Sequence, residues 1–394
     1  APKMPHSLPR PADGAAAIVR LPLLCTALLL GACSTGADLV EAEQAEAQEE
    51  ARQATLDALE AAATEGDLAS QMRLASMYYD GRTVPRDRGK AAVWYRAAAD
   101  QGLAEAYYSL GIILEDGDGL PKDAAAAAAA YRVAAEAGVP EAQTNLGLMA
   151  LRGEGMEADQ KEAFQWLSRA AELGVARAQF VLGSMIANGR GTSPDTALAV
   201  QWYERAARQG LGPAQEVLAA ALLTGDGVQR DPSLAARWLE LAADQGSSRA
   251  QERLGLLLVA GADGIPKDAP AGAAWLLKAA EGGAPTSQFN LGLLYIRGDG
   301  VEANDREAFR WFSAAAEQGL SEAQTRVGAM AEAGRGVRKN VVVAASWYMV
   351  AGREGNLGAL RRLEALDQNL SASQRQAAQE RALAWEQARA GTAR

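Results

Sequence analysis

The sequence predicts an all-α protein, a right-handed solenoid superhelix of antiparallel helix hairpins closed by a C-terminal capping helix. Two ladders of residues and one compositional bias carry that expectation. Seven of the eight tryptophans, Trp94, Trp166, Trp202, Trp238, Trp275, Trp311 and Trp347, recur at multiples of 36 residues, with a single gap of 37 between Trp238 and Trp275. Leu74, Leu110, Leu146, Leu182, Leu218, Leu254, Leu291, Val327 and Leu363 keep the same spacing, with one gap of 37 from Leu254 to Leu291. A fixed period of this length is the signature of stacked supersecondary units. Ala and Gly supply much of the apolar content, which suits closely packed helices, and β-branched strand formers are sparse.

Each unit reads as a Trp helix (A) followed by a Leu helix (B). Between Asp195 and Asp231, Asp195 stands at an N-cap position, and Val200, Trp202, Tyr203, Ala206 and Ala207 fall on one side of helix A at 100° per residue. Gly210 ends helix A. Helix B carries Ala214, Leu218, Ala219 and Leu222, and Gly225 and Gly227 stop it before Asp231 caps the next helix. No unit buries its apolar stripe alone, so neighbours must stack. Ala58 and Ala130 stand in for Trp, Ala75 and Ala219 for the helix B glycine, and Thr83 for the second loop glycine. The extra residue falls in the loop Gly261-Ala-Asp-Gly264, where a solenoid tolerates it most easily.

The recurring string AVQWYERAARQG…AQ…LA…LLTGDGVQRD and its sibling EAFRWFSAAAEQGLSEAQTRVGAMAEAGRGVRKN resemble Sel1-like repeats, relatives of the tetratricopeptide repeat. The resemblance covers residues 53–370, about nine units. It implies a protein-binding scaffold in which the A helices line the groove. Offsets −1, +2, +3 and +6 from each Trp point away from the core stripe, and the candidate groove residues are Gln165, Arg169, Gln201, Glu204, Arg205, Arg237, Glu240 and Arg310. A solvated face laced with i,i+4 ion pairs is the competing reading of the same stripe. The Trp ladder itself reads as core, and Asp116-Gly-Asp-Gly119 as a turn, since it lacks the spaced ligands of a calcium loop. Residues 371–394 break register and read as a capping helix and tail, with Ala378, Leu383 and Trp385 available to cover the last unit.

The scarce residues narrow the chemistry. The one histidine is His6, and the two cysteines are Cys25 and Cys33. Residues 1–32 read as a signal peptide with the apolar run LPLLCTALLLGA, too short to cross a bilayer as a mature helix. Leu30-Gly31-Ala32-Cys33 resembles a bacterial lipobox, which implies lipid attachment at Cys33 and, with Ser34 following, sorting to the outer membrane from the periplasmic side. An ordinary secretory signal is the other reading. Residues 33–52 are an acidic stretch that reads as a tether, or as a solvated first helix.

Cleavage before Cys33 leaves no histidine and one cysteine, which removes Ser/His/Asp and Cys/His triads, His-ligated zinc and internal disulfides. It also leaves 36 basic and 48 acidic residues, a surface that repels phosphate backbones, so nucleic acid is not an expected partner. The expectation is a non-catalytic envelope adaptor with a protein partner and no cofactor. The resemblance also allows a lipoprotein subunit of an alginate-type exopolysaccharide export complex, a periplasmic regulator of a sensor kinase, and least of all a β-lactam hydrolase, whose relatives carry paired cysteines that these repeats lack.

Overall fold

Aspartate or asparagine precedes every Trp helix after the first, and each one caps it. Asp87, Asp123, Asp159, Asp195, Asp231, Asp268, Asn304 and Asn340 accept hydrogen bonds from the first-turn backbone N–H groups through their side chains. This places the start of each Trp helix within a residue, and loss of such a cap costs about 1 kcal/mol. Most of the Leu helices lack a side-chain cap and end instead on a left-handed glycine such as Gly225 or Gly298.

The computed structural model describes the backbone of residues 36–392 and the side chains of residues 44–389. The expected signal peptide, Cys33 and its lipobox lie outside the described residues. The chain forms two compact units, Ala1–Leu173 and Gly174–Arg394. In the first, α1 (Gly36–Thr64) leads into three helix pairs: α2 (Leu68–Asp80) with α3 (Arg88–Asp100), α4 (Ala104–Asp116) with α5 (Ala124–Glu136), and α6 (Pro140–Arg152) with α7 (Gln160–Glu172). The second runs from α8 (Ala176–Asn188) and α9 (Thr196–Arg208) through α10 (Gly212–Thr224), α11 (Pro232–Asp244), α12 (Ser248–Ala260), α13 (Ala269–Glu281), α14 (Pro285–Arg297), α15 (Asp305–Glu317), α16 (Ser321–Ala333) and α17 (Val341–Arg353) to α18 (Leu357–Asp367) and α19 (Ala372–Thr392). Within each unit every helix packs on the next in sequence up to α18, the pattern of an all-α solenoid, and no strand occurs among the described residues. Helix α1 continues through residues 52 and 53, so the acidic stretch and the first repeat share one helix.

The tightest packing joins a Leu helix to the Trp helix that follows it. A Cβ placed on Gly111, Gly147, Gly183, Gly255, Gly292 or Gly328 would stand 2.6–2.8 Å from Tyr131, Leu167, Tyr203, Leu276, Phe312 or Tyr348, the residue next to each Trp position. These partners are buried, and Tyr131, Leu167, Leu276, Phe312 and Tyr348 fully so. Glycine is therefore required here for close approach, in helices where it otherwise costs stability. The Trp rings sit at the edge of this core. Trp166, Trp311 and Trp347 are buried, and Trp94, Trp202, Trp238 and Trp275 are half-buried. Ala130, at the missing Trp position, is fully buried.

The extra residue in the 261–264 loop is absorbed locally. Gly261 leaves the left-handed cap geometry for φ 70, ψ 154, and Ala262 bridges to Ile265. Ile265 is buried, and Gly264 takes the place of the second loop glycine, lying against Ser233 at the start of α11. Asp116 and Asp118 flank a turn and pair with Arg88 and Arg86.

A ladder of buried glutamines, which the sequence displays as a recurring Ala-Gln without disclosing its use, ties the helices end to end. The Nε2 groups of Gln71, Gln143, Gln215, Gln251, Gln288 and Gln324 donate to the carbonyls of Ala63, Ala135, Ala207, Ala243, Ala280 and Ala316 at 3.0–3.3 Å. Each carbonyl lies in the last turn of the preceding helix and already accepts the N–H of the glycine three residues on, so the glutamine takes its second lone pair. The glutamine Oε1 then accepts from a glutamine capping the next Trp helix, in the pairs Gln101–Gln71, Gln209–Gln179, Gln245–Gln215 and Gln318–Gln288. Where that cap is Leu173 or Glu354, the Oε1 atoms of Gln143 and Gln324 find no partner among the described residues. In α4 the glutamine position is Tyr107 and the next cap is Ala137, so both members are absent together.

Two outcomes follow from this packing. Leu173→Gln supplies the absent donor to Gln143 and is expected to raise unfolding stability by about 1 kcal/mol, whereas Gln215→Leu removes two hydrogen bonds, to the Ala207 carbonyl and from Gln245, and lowers it by about 1–3 kcal/mol; urea denaturation checks both, and a neutral Gln215→Leu refutes the ladder. The second concerns alkali. Tyr78, Tyr131 and Tyr348 give their hydroxyl protons to Glu60, Glu115 and Glu332, and burial together with those bonds pushes their pKa values up from 10.0, to about 12 for Tyr78. A raised folded pKa gives stability that is complete below pH 10 and is lost as pH climbs through the folded value. The melting temperature should therefore fall from pH 10 upward, and fall less in a Tyr131→Phe/Tyr348→Phe variant. Parallel curves for variant and parent would exclude the tyrosines as the cause.

Candidate protein-binding stripe

The Trp helices present their polar side at offsets −1, +2 and +3 from each Trp. Gln165, Arg169, Gln201, Arg205, Arg237, Glu240 and Arg310 are exposed, and Glu204 is half-buried. Each unit places its own share of these residues on parallel positions of its Trp helices, Gln165 and Arg169 in the first and the remainder in the second. Several have structural work as well. The guanidinium of Arg169 lies 4.7 Å from the Trp166 ring centroid, Arg205 lies 4.4 Å from that of Trp202 and Arg310 lies 4.9 Å from that of Trp311. Lys278 adds a fourth such contact, 3.8 Å over Trp275. Exposed cation–π contacts of this kind contribute about 0.5–1 kcal/mol each. Glu204 pairs with Arg208, and Arg310 with Glu307, as neighbours on one helix face. The stripe is thus a charged surface whose cations roof tryptophans that are buried, as Trp166 and Trp311, or half-buried, as Trp202 and Trp275.

On α17 the same stripe is covered, and its occupant is a segment of this chain. Offsets −4, −1, 0, +3 and +6 are Val343, Ser346, Trp347, Val350 and Arg353. Ser346 and Val350 are 3% and 2% exposed, although their counterparts Gln201, Arg237, Ala274 and Arg310 (−1) and Arg205, Leu241 and Lys278 (+3) face solvent. Helix α19 covers them. Ala378 and Ala382 are buried, and Trp385 meets Trp347 edge to face with ring centroids 5.6 Å apart. Glu386 accepts from Arg353 at 2.7 Å, and Arg389 donates to Glu354 at 3.0 Å. Arg389 also stacks on Trp385 and lies against Gly319 at the end of α15. At the other end Arg375 holds Asp367, anchoring the entry to α19. A cleft of about 230 Å³ beside the contact is shared by Ser346, Trp347, Val350, Arg381, Ala382, Ala384 and Trp385.

The sequence placed Ala378 and Trp385 in this contact, and both are there. Leu383 is not: it is 46% exposed, and Ala382 takes the buried place. Small residues at 378 and 382 bring the two helix backbones together, and the i, i+4 spacing puts them on one face, whereas 383 falls about 100° away from 382. What the sequence reading missed is that α17 breaks the charged pattern of the stripe with Ser346 and Val350. That substitution is visible in the sequence once the stripe is aligned unit by unit.

Trp385→Ala removes the aromatic pair and part of the apolar contact, and about 1–3 kcal/mol of local stability with them. Amide exchange in α19 should accelerate while α9–α14 keep their protection. Unchanged exchange in α19 would show that Trp385 does not hold the helix down.

Comparison with known proteins accords with this geometry. The Sel1 repeat model matches eight consecutive segments, 68–103, 104–139, 140–175, 176–211, 212–247, 248–283, 285–320 and 321–356. Each segment begins on a Leu helix and ends after the next Trp helix, so in the family's frame the Trp helices come second. The resemblance of groove-lining first helices therefore points to the Leu helices, and the Trp-helix stripe rests on the seating of α19. Among solved structures, a Sel1 repeat protein from Oxalobacter formigenes is 30% identical, with 79% of this chain and 89% of that chain covered and a TM-score of 0.60. The c5321 protein, a protective antigen present in uropathogenic Escherichia coli strains, is 28% identical, with 84% and 86% covered and a TM-score of 0.50. No curated protein matches. With eight matched repeats spanning most of its length, and a solved relative that shares both sequence and architecture, the chain belongs to the Sel1 repeat family.

Proposed function

We propose that this protein is a non-catalytic scaffold of the bacterial cell envelope that holds a segment of a partner protein against the stripe of its Trp helices. Sel1 repeat proteins are generally protein-interaction scaffolds, and this chain has their repeats and their fold. The observation that carries the choice of surface is α19, a helix seated on the stripe of α17 through two alanines, a tryptophan and flanking ion pairs. A surface that binds one helix in the last repeat is suited to binding others in earlier repeats. The non-catalytic reading is supported by the strongly shifted groups. They are tyrosines in packing seams, shifted first by burial and then by the hydrogen bond each gives to a glutamate, and they serve the helix contacts. The envelope address rests on the expected signal peptide and on lipid attachment at Cys33, with the protein on the periplasmic side of the outer membrane.

Photo-reactive residues at Gln201 and Arg237, followed by mass spectrometry of membrane fractions, test the surface and the compartment together. One envelope protein captured at both positions is the expected result. Recovery of the protein from membranes with no capture at either position would reject the stripe.

A further inference from the structure

Repeat symmetry carries the seat of α19 to another place in the second unit. Shifted by the 109 residues that separate Trp238 from Trp347, the residues Val343, Ser346, Trp347, Val350 and Arg353 become Leu234, Arg237, Trp238, Leu241 and Asp244 on α11. The apolar positions are kept, and here nothing covers them: Leu234 is 37% and Leu241 48% exposed, among the few large apolar side chains left in solvent. Trp238 between them is half-buried. Gly319, against which Arg389 lies, corresponds to Gly210, and nothing stands within 4 Å of a Cβ placed there. Two changes are electrostatic. Ser346, which shares the cleft with Arg381, becomes the cation Arg237, and Arg353, which pairs with Glu386, becomes the anion Asp244. Neither Arg237 nor Asp244 has an ion-pair partner among the described residues.

We infer that α11 bears a second helix seat, and that its occupant is an amphipathic helix of a partner protein whose charges are the reverse of those of α19. It carries an acidic residue where α19 has Arg381, a small residue at the place of Ala382, an aromatic at the place of Trp385 and a basic residue at the place of Glu386. Shape and apolar contact are those of the α17 seat, and charge sets the difference. Helix α19 from a second copy would set Arg381 against Arg237 and Glu386 against Asp244, so self-association through this seat is disfavoured on both counts. The inference rests on the scaffold reading above and adds the chemistry of the partner.

The test uses the full chain and two fluorescein-labelled synthetic peptides of residues 372–392, one native and one carrying Arg381→Glu and Glu386→Arg. Fluorescence anisotropy should show the charge-reversed peptide binding on the order of tenfold tighter than the native one. Leu234→Lys/Leu241→Lys in the protein should abolish that binding, and Arg237→Glu/Asp244→Arg should invert the preference. The α17 seat does not confuse the result, because there the reversed peptide meets Arg353 with an arginine. Because all four altered positions are exposed, melting curves should stay close to the parent. If the leucine variant nonetheless fails to fold, the charge-inverted variant decides alone. Equal affinity for the two peptides, no binding of the reversed peptide, or a preference unmoved by Arg237→Glu/Asp244→Arg overturns the inference. Capture of a partner by cross-linkers at Gln201 and Arg237 alongside any of these results leaves the scaffold standing and removes only the helix chemistry.

Discussion

At six of the eight contacts between a Leu helix and the Trp helix that follows it there is no room for a methyl group, and Ala75 and Ala219 stand at the other two. Six glycines stand with the space of their absent Cβ atoms filled by the ring or branch of Tyr131, Leu167, Tyr203, Leu276, Phe312 or Tyr348. The remaining features accommodate this approach. Caps fix where each Trp helix starts, so that the residue after the Trp position arrives opposite the glycine. Alanines fill the positions where helices cross, and the buried glutamines close the helix ends that the approach brings into an apolar environment. In a protein built from repeated short-range contacts, stability is close to a sum over such interfaces. A change at one glycine or one glutamine is therefore felt locally first.

The tryptophans occupy a place between core and surface. One edge of each ring packs with the apolar seam, and on four helices a basic side chain, Arg169, Arg205, Lys278 or Arg310, covers the other face. The stripe thus serves stability and recognition with the same residues. An occupant must displace or accompany these cations; on α17, where Val350 holds the cation's place, α19 brings Trp385 to Trp347 with Arg389 stacked on the Trp385 ring.

Much of this was legible in the sequence, because it is periodic. The Trp and Leu ladders, the Asp caps and the Gly stops specify helix boundaries, and the loop of 261–264 was visible as an interruption of period. The glutamines were visible as a motif without a use, since their bonds join residues 8 and 30 positions apart, and a side-chain bond between helix ends leaves no hydrophobic periodicity to read. The seat of α19 was half legible. Ala378 and Trp385 announced an apolar face, but the choice between Ala382 and Leu383 depends on the phase of a helix whose start lies outside the repeat register. The candidate stripe was readable as a polar face. Its meaning was not, because a solvated face and a docking face have the same residues until something is seen lying on one of them.

The loop at 261–264 shows what keeps the period. One residue more than its siblings is accommodated by a change of ψ at Gly261 and a two-residue bridge, while Ile265 still reaches its buried place and Gly264 still meets the start of α11. The spacing of 36 is thus a tally of what the interfaces require, and the connectors act as slack between them. A ruler laid along the sequence loses count at Gly261, whereas one laid along the contacts does not. Copies of the unit can accordingly drift in length during evolution, one connector at a time, without any helix losing its neighbour.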